Sequence, residues 1–362
     1  MDEVEGGRLL KTFINGHTSE GFFSLLNQFW SDYKIYVVSG ATSKSRSKLL
    51  SEVASELRHK TNVEILLHPN DGETVDGIVL KDKKALLISD NGPLYPSSRY
   101  YGLIDHVINL NDCFTTNNHY SLAEVKKLMN EVDGHRFQAY KSFAKGREIH
   151  EKKESIYLSA MNFKAADEAA DEIMNEWITR ISVPEENPIV TQRFFGAATA
   201  FGPINYINDI TADVNNRIII KGRSGSGKST LMRKIGDAAE KKDVTVHYYP
   251  CALDPNSLDM IIIPALSFAI VDGTAPHIIN AERDGDRILD MFTRCIDPII
   301  EEDNDELLDQ ITYDYKKTMK QGTEHLHNLI NVEENIENIL MENVDEKKLM
   351  VNKVHIIDLI NE

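Results

Sequence analysis

The chain has 362 residues, of which 41% are hydrophobic and 27% charged, an ordinary composition for a globular protein of about two domains. No uninterrupted apolar run approaches the ~20 residues that cross a bilayer, so we expect no membrane partner. The formal net charge of −17 argues against a protein whose main task is binding nucleic acid, because phosphate recognition needs a basic surface.

The N-terminus and the cysteines indicate the compartment. Residues 1–5 are acidic and lack the basic-then-apolar order of a secretory signal. The three cysteines are widely separated and do not form a disulfide framework. We therefore expect a cytoplasmic protein.

The first half begins with a strand–loop–helix pattern. The apolar run 35–38 predicts a strand, and apolar residues with helical spacing over 49–57 predict a helix. Strand-like runs follow over 63–67 and 85–89. Alternation of strands and helices is typical of an α/β domain with a parallel sheet. Residues from about 121 to 181 then have a charged, helix-forming composition.

The second half starts after a linker at residues 183–188, whose two prolines oppose helix formation. An apolar run at 218–220 predicts a strand, and the pattern over 231–239 predicts a helix. Between them lies a match to the phosphate-binding pattern G-x-x-x-x-G-K-[ST] at every required position. Its residues are Gly222, Arg223, Ser224, Gly225, Ser226, Gly227, Lys228, Ser229 and Thr230.

This strand–loop–helix context supports the match. The glycines let backbone N–H groups surround a chain of phosphates at the positive end of the following helix. We expect Lys228 to contact the terminal phosphates of a nucleoside triphosphate and the Ser229 hydroxyl to bind the accompanying Mg²⁺. The sequence therefore predicts a nucleotide site in the second half.

Two residues beyond the loop are candidates for the chemistry. Asp272 ends an apolar run 50 residues after Gly222, where P-loop proteins place the acid that holds Mg²⁺. The alternative is a turn residue, since Asp272-Gly273 is a turn pair. His277 is a candidate catalytic or phosphate-sensing residue because the first half has Tyr95 at the corresponding place. An ordinary polar surface group remains the alternative for His277.

The second half repeats the first. Three residues lie 182 positions before a residue of the same type in the second half, namely Gly40 before Gly222, Asp90 before Asp272 and Cys113 before Cys295. Ordered anchors of this kind predict a tandem duplication. The first copy has Ser45 in place of Gly227 and Arg46 in place of Lys228. A side chain at the second glycine obstructs the approach of phosphate to the backbone.

We therefore expect the first half to be non-catalytic and either structural or regulatory, although Arg46 leaves residual phosphate binding open. The predicted fold is α/β, with two tandem P-loop NTPase-like parallel-sheet domains, each followed by a helical segment. The degenerate domain covers residues 1–117 and its helical segment 118–183. The intact domain covers 184–300, and a C-terminal helical segment covers 301–362.

Other polar residues are weaker candidates. Asp254 and Asp259 follow the second strand of the repeat and could activate water, bind a second substrate or cap a helix. Arginines could stabilise charge on a transferred phosphoryl group or could be solvated surface groups; they are Arg223, Arg283 and Arg287. The remaining candidates lack a metal-ligand arrangement and are expected to be structural; they are Cys251, His150, His325 and His327.

Several segments together resemble a family of bacterial tandem P-loop proteins, found mostly in Gram-positive bacteria and usually labelled ATPase without a defined reaction. The segments are 193–199, 222–230, 254–259 and 271–277. The resemblance covers nearly the whole chain and implies the tandem fold and a nucleotide ligand but no substrate. Members often carry a phosphate loop in both halves, and the first half of this chain departs from that pattern.

The leading hypothesis is an ATP-binding NTPase that hydrolyses ATP with Mg²⁺ at the second-half site. A guanine-reading Asn-Lys-x-Asp motif is missing, so ATP is favoured over GTP by default. One alternative is a kinase acting on a nucleotide or other small molecule, with a helical segment closing as a lid. Another is a nucleotide-sensing protein with negligible turnover that captures a protein partner.

Overall fold

The computed structural model describes residues 9–91, 105–113, 122–341 and 344–361. Over these residues the protein is mixed α/β, with two six-stranded sheets, two small hairpins and two long helices. The sequence position Tyr95, which entered the comparison with His277, lies outside the described residues.

The first half alternates short strands with one core helix before a long helical excursion. Its elements are β1 (Leu9–Thr12), β2 (Asn15–Thr18), β3 (Gly21–Ser24), a 3₁₀ turn (Leu26–Phe29), β4 (Lys34–Ser39), α1 (Ser43–Leu57), β5 (Val63–Leu67), β6 (Val75–Leu80), a 3₁₀ turn (Lys81–Lys83), β7 (Ala85–Ser89), β8 (Asp105–Asn109), a 3₁₀ turn (Asn111–Cys113), α2 (Leu122–Ser159), α3 (Phe163–Trp177) and a 3₁₀ turn (Ile178–Arg180).

The second half repeats the order of the strands, the core helix and the long helix, and differs in its short helical elements. Its elements are β9 (Val190–Gln192), β10 (Gly196–Thr199), β11 (Gly202–Asn205), α4 (Ile207–Ile210), β12 (Asn216–Lys221), α5 (Lys228–Glu240), β13 (Val246–Pro250), β14 (Leu258–Ile263), a 3₁₀ turn (Pro264–Leu266), β15 (Phe268–Asp272), β16 (Asp286–Asp290), α6 (Met291–Cys295), α7 (Ile299–Asp303), α8 (Asp305–Met341) and α9 (Glu346–Asn361). The segment 183–188, predicted as the linker, forms no helix or strand.

The two large sheets have the same topology. Their strand orders are β1-β5-β6-β7-β4-β8 and β9-β13-β14-β15-β12-β16. Each strand of the second sheet holds the same place as the strand numbered eight lower in the first sheet, so β9 corresponds to β1 and β16 to β8. The repeat that the sequence predicted is therefore also a repeat of topology, which supports a tandem duplication.

Both sheets are mixed, which corrects the expectation of parallel sheets. Strand β6 is antiparallel to β5 and β7, and β14 is antiparallel to β13 and β15. The connections into and out of these strands are seven and four residues long in each half. A parallel neighbour needs a crossover of a dozen residues or more, so connections this short form hairpins.

The strand register also corrects one pairing in the repeat. Ile220 lies opposite Asp272, and its counterpart Val38 lies opposite Ser89. The structural counterpart of Asp272 is therefore Ser89 and not Asp90. The strands before the core helix begin at residues 34 and 216, an offset of 182, and the strands after it begin at 63 and 246, an offset of 183, so the second half has one additional residue between these two points.

The long helices α2 and α8 pack against each other in antiparallel orientation. Phe143 lies against Gly322, where a Cβ would be 2.4 Å from its ring. The Lys153 ammonium, ten residues after Phe143 in α2, donates to the Thr312 hydroxyl at 2.9 Å. Thr312 lies ten residues before Gly322 in α8, so the two helices run in opposite directions. The pair therefore forms one rod that both halves share.

The helices that follow the rod are exchanged between the halves. Helix α3 packs on α5 of the second half, where Trp177 stacks on Phe268 with ring centroids 4.3 Å apart. Helix α9 packs on α1 of the first half and buries Leu349 and Ile356 in that core. Each half thus completes its core with a helix that follows the other half's sheet.

Reciprocal backbone contacts relate the two halves. Phe13 and Phe194 each donate an N–H to the carbonyl oxygen of the other, at 2.9 and 2.8 Å. The aromatic rings of both residues are buried. An approximate two-fold relation between the halves follows from these mutual bonds. None of the described helices has the length and apolar character to cross a membrane.

Candidate functional site

The glycine loop, residues 222–227, joins the end of β12 to the start of α5. Gly222, Gly225 and Gly227 have φ angles of 156°, 75° and 80°, which L side chains rarely adopt. A Cβ at Gly222 would lie 2.6 Å from the Ser226 hydroxyl oxygen, and one at Gly227 would lie 2.7 Å from the Met161 methyl carbon. Conformation and space therefore both require glycine at these positions.

Lys228 and Asp272 face each other beside this loop. The Lys228 ammonium donates to the carbonyl oxygen of Arg223 at 2.9 Å, and its Nζ is 3.5 Å from Oδ2 of Asp272. The other carboxylate oxygen of Asp272 accepts bonds from the backbone and the hydroxyl of Thr274, at 2.9 and 2.6 Å. Asp272 thus orders its turn, as the turn interpretation predicted, and presents its other oxygen to the lysine.

The Ser229 hydroxyl has a structural partner. It accepts a 2.9 Å hydrogen bond from the backbone N–H of Leu258, the first residue of β14. The counterpart hydroxyl of Ser47 accepts the same bond, also 2.9 Å, from Val75. Because a half without the intact loop keeps this bond, it joins helix to sheet independently of any ligand. A hydroxyl oxygen has a second lone pair, so Ser229 retains the capacity to bind a cation.

The other loop residues contact the protein. The Ser226 hydroxyl is buried and donates to the Arg223 carbonyl oxygen at 2.8 Å. The Arg223 guanidinium pairs with Glu301 at 2.7 Å and lies over the Phe292 ring. Ser224 is half-buried, whereas Thr230 is exposed on the first turn of α5.

The first half fills the equivalent space with its own side chains. The Arg46 guanidinium donates to the Ser89 hydroxyl at 2.7 Å and to the Gly40 carbonyl oxygen at 2.8 Å, and it also contacts Asn91. Two backbone N–H groups of the degenerate loop, at Ser43 and Lys44, donate to the carboxylate of Glu337 at 2.8 and 3.2 Å. In the first half, the Glu337 carboxylate therefore accepts from backbone N–H groups that would face a phosphate, and the Arg46 guanidinium is held by internal acceptors.

A second carboxylate lies directly beside Asp272. Asp259 is buried on β14, and the register of β14 and β15 places it opposite Asp272. Burial and the neighbouring Asp272 charge raise the pKa of Asp259 to about 7. The Cys251 thiol neighbours Asp259, and burial raises the pKa of this thiol well above its usual value. Asp259 therefore follows β13, as the sequence predicted, and lies on the next strand, β14.

His277 lies next to Asp259. Its Nε2 is 3.8 Å from Oδ2 of Asp259, and its ring packs edge-on against Phe195. Its Nδ1 is buried and has no hydrogen-bond partner among the described residues. Burial lowers the pKa of His277 to about 4, so the imidazole is neutral near pH 7.

Helices α2 and α8 cover this cluster. The Glu154 carbonyl oxygen would lie 2.7 Å from a Cβ at Gly225, so the backbone of α2 touches the glycine loop. Arg147 forms an ion pair with Asp254. The His150 ring packs against Tyr315 of α8. The pKa of His150 is lowered mainly by burial and secondly by the charge of Lys228.

The sequence missed these covering residues because α2 precedes the glycine loop by about 70 residues and belongs to the other half. Helical periodicity alone does not say which sheet such a helix meets. His150, expected to be structural, does contribute packing. It also lies close enough to Lys228 for their charges to interact.

Other candidates lie away from the cluster or have other partners. The Arg283 guanidinium donates to the Thr211 carbonyl oxygen at 2.6 Å, and Arg287 pairs with Glu176 of α3 at 2.8 Å. His325 approaches His135, and His327 lies against Phe201. Across the described part of the chain, no group of three or more His, Cys, Asp or Glu side chains is arranged to hold a metal ion.

Comparisons with known proteins add no relative. Protein-family models gave no match, and neither curated proteins nor solved structures gave one.

Proposed function

We propose that the protein is an ATP-binding P-loop NTPase that hydrolyses ATP with Mg²⁺ at the glycine loop of the second half. The observation that carries the proposal is the pairing of Lys228 with Asp272 at the mouth of a loop whose glycines have positive φ. A cation for phosphate charge and an acid for a metal belong together in this chemistry.

The residues present fit a nucleotide with Mg²⁺. The loop's backbone N–H groups would surround the phosphates, and Lys228 would exchange its bond to the Arg223 carbonyl oxygen for one to a phosphate oxygen. Asp272 and Ser229 would hold Mg²⁺, which neutralises the charge that develops on the transferred phosphoryl group. Because no preformed metal cluster occurs among the described residues, the ion would arrive with the nucleotide.

The first half would serve as a structural or regulatory partner. Its loop donates to Glu337, and Arg46 spans the position of a phosphate. The resemblance to bacterial tandem P-loop ATPases implies the tandem fold, and this chain departs from the members that carry a phosphate loop in both halves. Three unpaired cysteines support a reducing, cytoplasmic location.

A matched pair of variants tests the proposal by calorimetry with Mg²⁺ and a non-hydrolysable ATP analogue. Lys228→Ala should abolish binding, whereas Arg46→Ala, the same change in the degenerate half, should leave the nucleotide affinity of the second half unchanged. Wild-type protein that binds no ATP, or a Lys228→Ala variant that binds as well as wild type, would end the proposal. GTP titrated in parallel gives the base preference.

A kinase is the second candidate, because α2 and α8 cover the cluster and would exclude water from a transferred phosphoryl group. Labelled ATP with a panel of metabolites separates the two reactions. Phosphate released to water indicates hydrolysis, and label on an acceptor indicates a kinase. Tight binding without either product would instead indicate a nucleotide sensor.

A further inference from the structure

Asp76 and Asp259 occupy the same place in the two halves. Asp76 lies opposite Ser89 across β6 and β7, as Asp259 lies opposite Asp272 across β14 and β15. Both side chains are buried. The first half therefore serves as an internal reference for what this carboxylate does when no nucleotide site is present.

In the first half the carboxylate has two amide partners. Asn15 Nδ2 donates to one oxygen of Asp76 at 2.9 Å, and Asn91 Nδ2 donates to the other at 3.1 Å. Hydrogen bonds to each oxygen stabilise a buried charge. Asp76 is thus a structural residue that ties β6 to the hairpin and to the turn after β7.

The second half lacks both amides. Gly196 takes the place of Asn15, and Thr274 takes the place of Asn91. The Thr274 side chain and backbone bond to Asp272 and not to Asp259. Across the described chain no amide donates to Asp259, and the neighbouring donor is the Cys251 thiol. A thiol is a weak donor, so the carboxylate retains acceptor capacity.

Beside Asp259, the buried side chain of His277 has a ring nitrogen without a hydrogen-bond partner among the described residues. Nδ1 of His277 makes no hydrogen bond within the described chain, and the residue is 7% exposed. Its Nε2 is 3.8 Å from the Asp259 carboxylate, which is too long for a direct bond. Two neighbouring polar groups with unused capacity, next to Lys228 and Asp272, mark a place for a small polar molecule.

We propose that Asp259 binds and orients the oxygen that attacks the γ-phosphorus, a water or a small hydroxyl, with His277 as a positioning residue beside it. This inference rests on the proposed nucleotide site. The attacking oxygen forms a bond to the γ-phosphorus, and the bond from that phosphorus to the β,γ-bridging oxygen breaks. The electron pair leaves with the diphosphate, and the proton of the attacking group passes along its hydrogen bond to Asp259 and then to solvent.

The experiment compares Asp259→Asn with Asp76→Asn, its matched control. Phosphate release from Mg-ATP, the affinity for a non-hydrolysable analogue and the midpoint of thermal unfolding are measured for each. Asp259→Asn should lower kcat at least about 100-fold, with analogue affinity within about threefold of wild type. Its unfolding midpoint should not fall, because the change removes a charge that faces Asp272.

Asp76→Asn should show the reverse pattern. Its kcat should equal that of wild type, and its unfolding midpoint should fall because an amide replaces an acceptor of two hydrogen bonds. Asp259→Glu, which keeps the charge but moves the carboxylate by one methylene, provides a second folded variant and should also lose kcat. An Asn at position 196 is unsuitable, since its Cβ would lie 2.2 Å from the Ile204 carbonyl oxygen.

The outcomes separate the inference from the proposed function. If wild type turns over ATP and both Asp259 variants turn over equally well, the inference is overturned and the NTPase proposal stands. Loss of analogue binding in Asp259→Asn would also overturn it, because the carboxylate would then serve the nucleotide. Wild type without ATP binding removes both proposals, and binding without turnover removes the inference, since nothing attacks phosphorus.

Discussion

Arg193 and Glu64 form a buried ion pair that joins the two halves. The Arg193 Nε donates to Oε1 of Glu64 at 2.6 Å, and the side chains are 6% and 4% exposed. Glu64 lies on β5, and Arg193 directly follows β9. Thr12 supplies a further hydrogen bond to the same carboxylate oxygen, at 2.7 Å.

Glu64→Gln should destabilise the protein by about 3 kcal/mol, because it leaves the Arg193 guanidinium buried without a counter-charge. The free energy of unfolding from urea titration at pH 7 measures the effect. Glu131→Gln is the control, since Glu131 forms an exposed pair with Lys127 and should change the free energy by less than about 0.5 kcal/mol. Equal effects of the two substitutions would contradict the role assigned to the buried pair.

The same carboxylate should make stability depend on pH. Burial alone raises the pKa of Glu64, but the charges of Arg193 and Lys81, together with the hydrogen bonds from Arg193 and Thr12, outweigh burial and hold that pKa at about 2, below its ordinary 4.5. The unfolded state therefore binds the proton more readily, and the stabilisation is complete above about pH 4.5.

This stabilisation should be lost as the pH falls from 4.5 towards 2. Urea titrations of wild type at pH 7, 4 and 3 should show the decrease, on the order of 3 kcal/mol at its limit. In Glu64→Gln the decrease over this interval should be smaller by that amount. Parallel pH profiles for the two proteins would show that another group is responsible.

Leu349→Ala in α9 should destabilise the first half. Leu349 is fully buried in the core of that half, so truncation leaves a cavity that costs about 2–5 kcal/mol. Val351→Ala on the same helix is the control, because Val351 is 69% exposed and should change stability by less than about 0.5 kcal/mol. Thermal unfolding followed by circular dichroism measures both, and similar midpoints would mean that α9 does not stay docked on α1.

Ser229→Ala and Ser47→Ala should separate a structural from a ligand-binding role of the hydroxyl. Each loses one hydrogen bond to a strand N–H, so both should lower the free energy of unfolding by about 1 kcal/mol. Only Ser229→Ala should weaken Mg-ATP binding, by roughly tenfold or 1.4 kcal/mol. Unchanged calorimetric affinity in Ser229→Ala would remove Ser229 from the proposed metal site.

Local sequence predicted the parts of the site that lie close together along the chain. The glycine loop, Lys228 and the helix start form one continuous segment whose conformation is fixed by glycine φ angles. Asp272 could be predicted because it ends the strand next to β12. The alternation of strands and helices also predicted the α/β class, although hairpins with short connections made both sheets mixed.

The rest of the site depends on contacts between distant segments. Glu154 reaches the glycine loop and Arg147 reaches Asp254 because α2 crosses to the other half, and no local pattern specifies that path. The orphaned nitrogen of His277 appears only when its neighbours are known. One additional residue between the starts of β12 and β13 shifted the repeat, so the alignment of Asp90 with Asp272 was wrong and Ser89 is the counterpart.

The exchanged helices determine when each half can finish folding during synthesis. The core of the first half is built on strands that end by residue 109, yet it also contains Ile356 and Ile360 near the end of the chain. At about 5–20 residues per second, synthesis of the intervening chain takes roughly 12–50 seconds. Throughout that interval α9 is not yet made, so the surface of α1 on which it packs is exposed. The nascent first half therefore presents an apolar surface that α9 covers later.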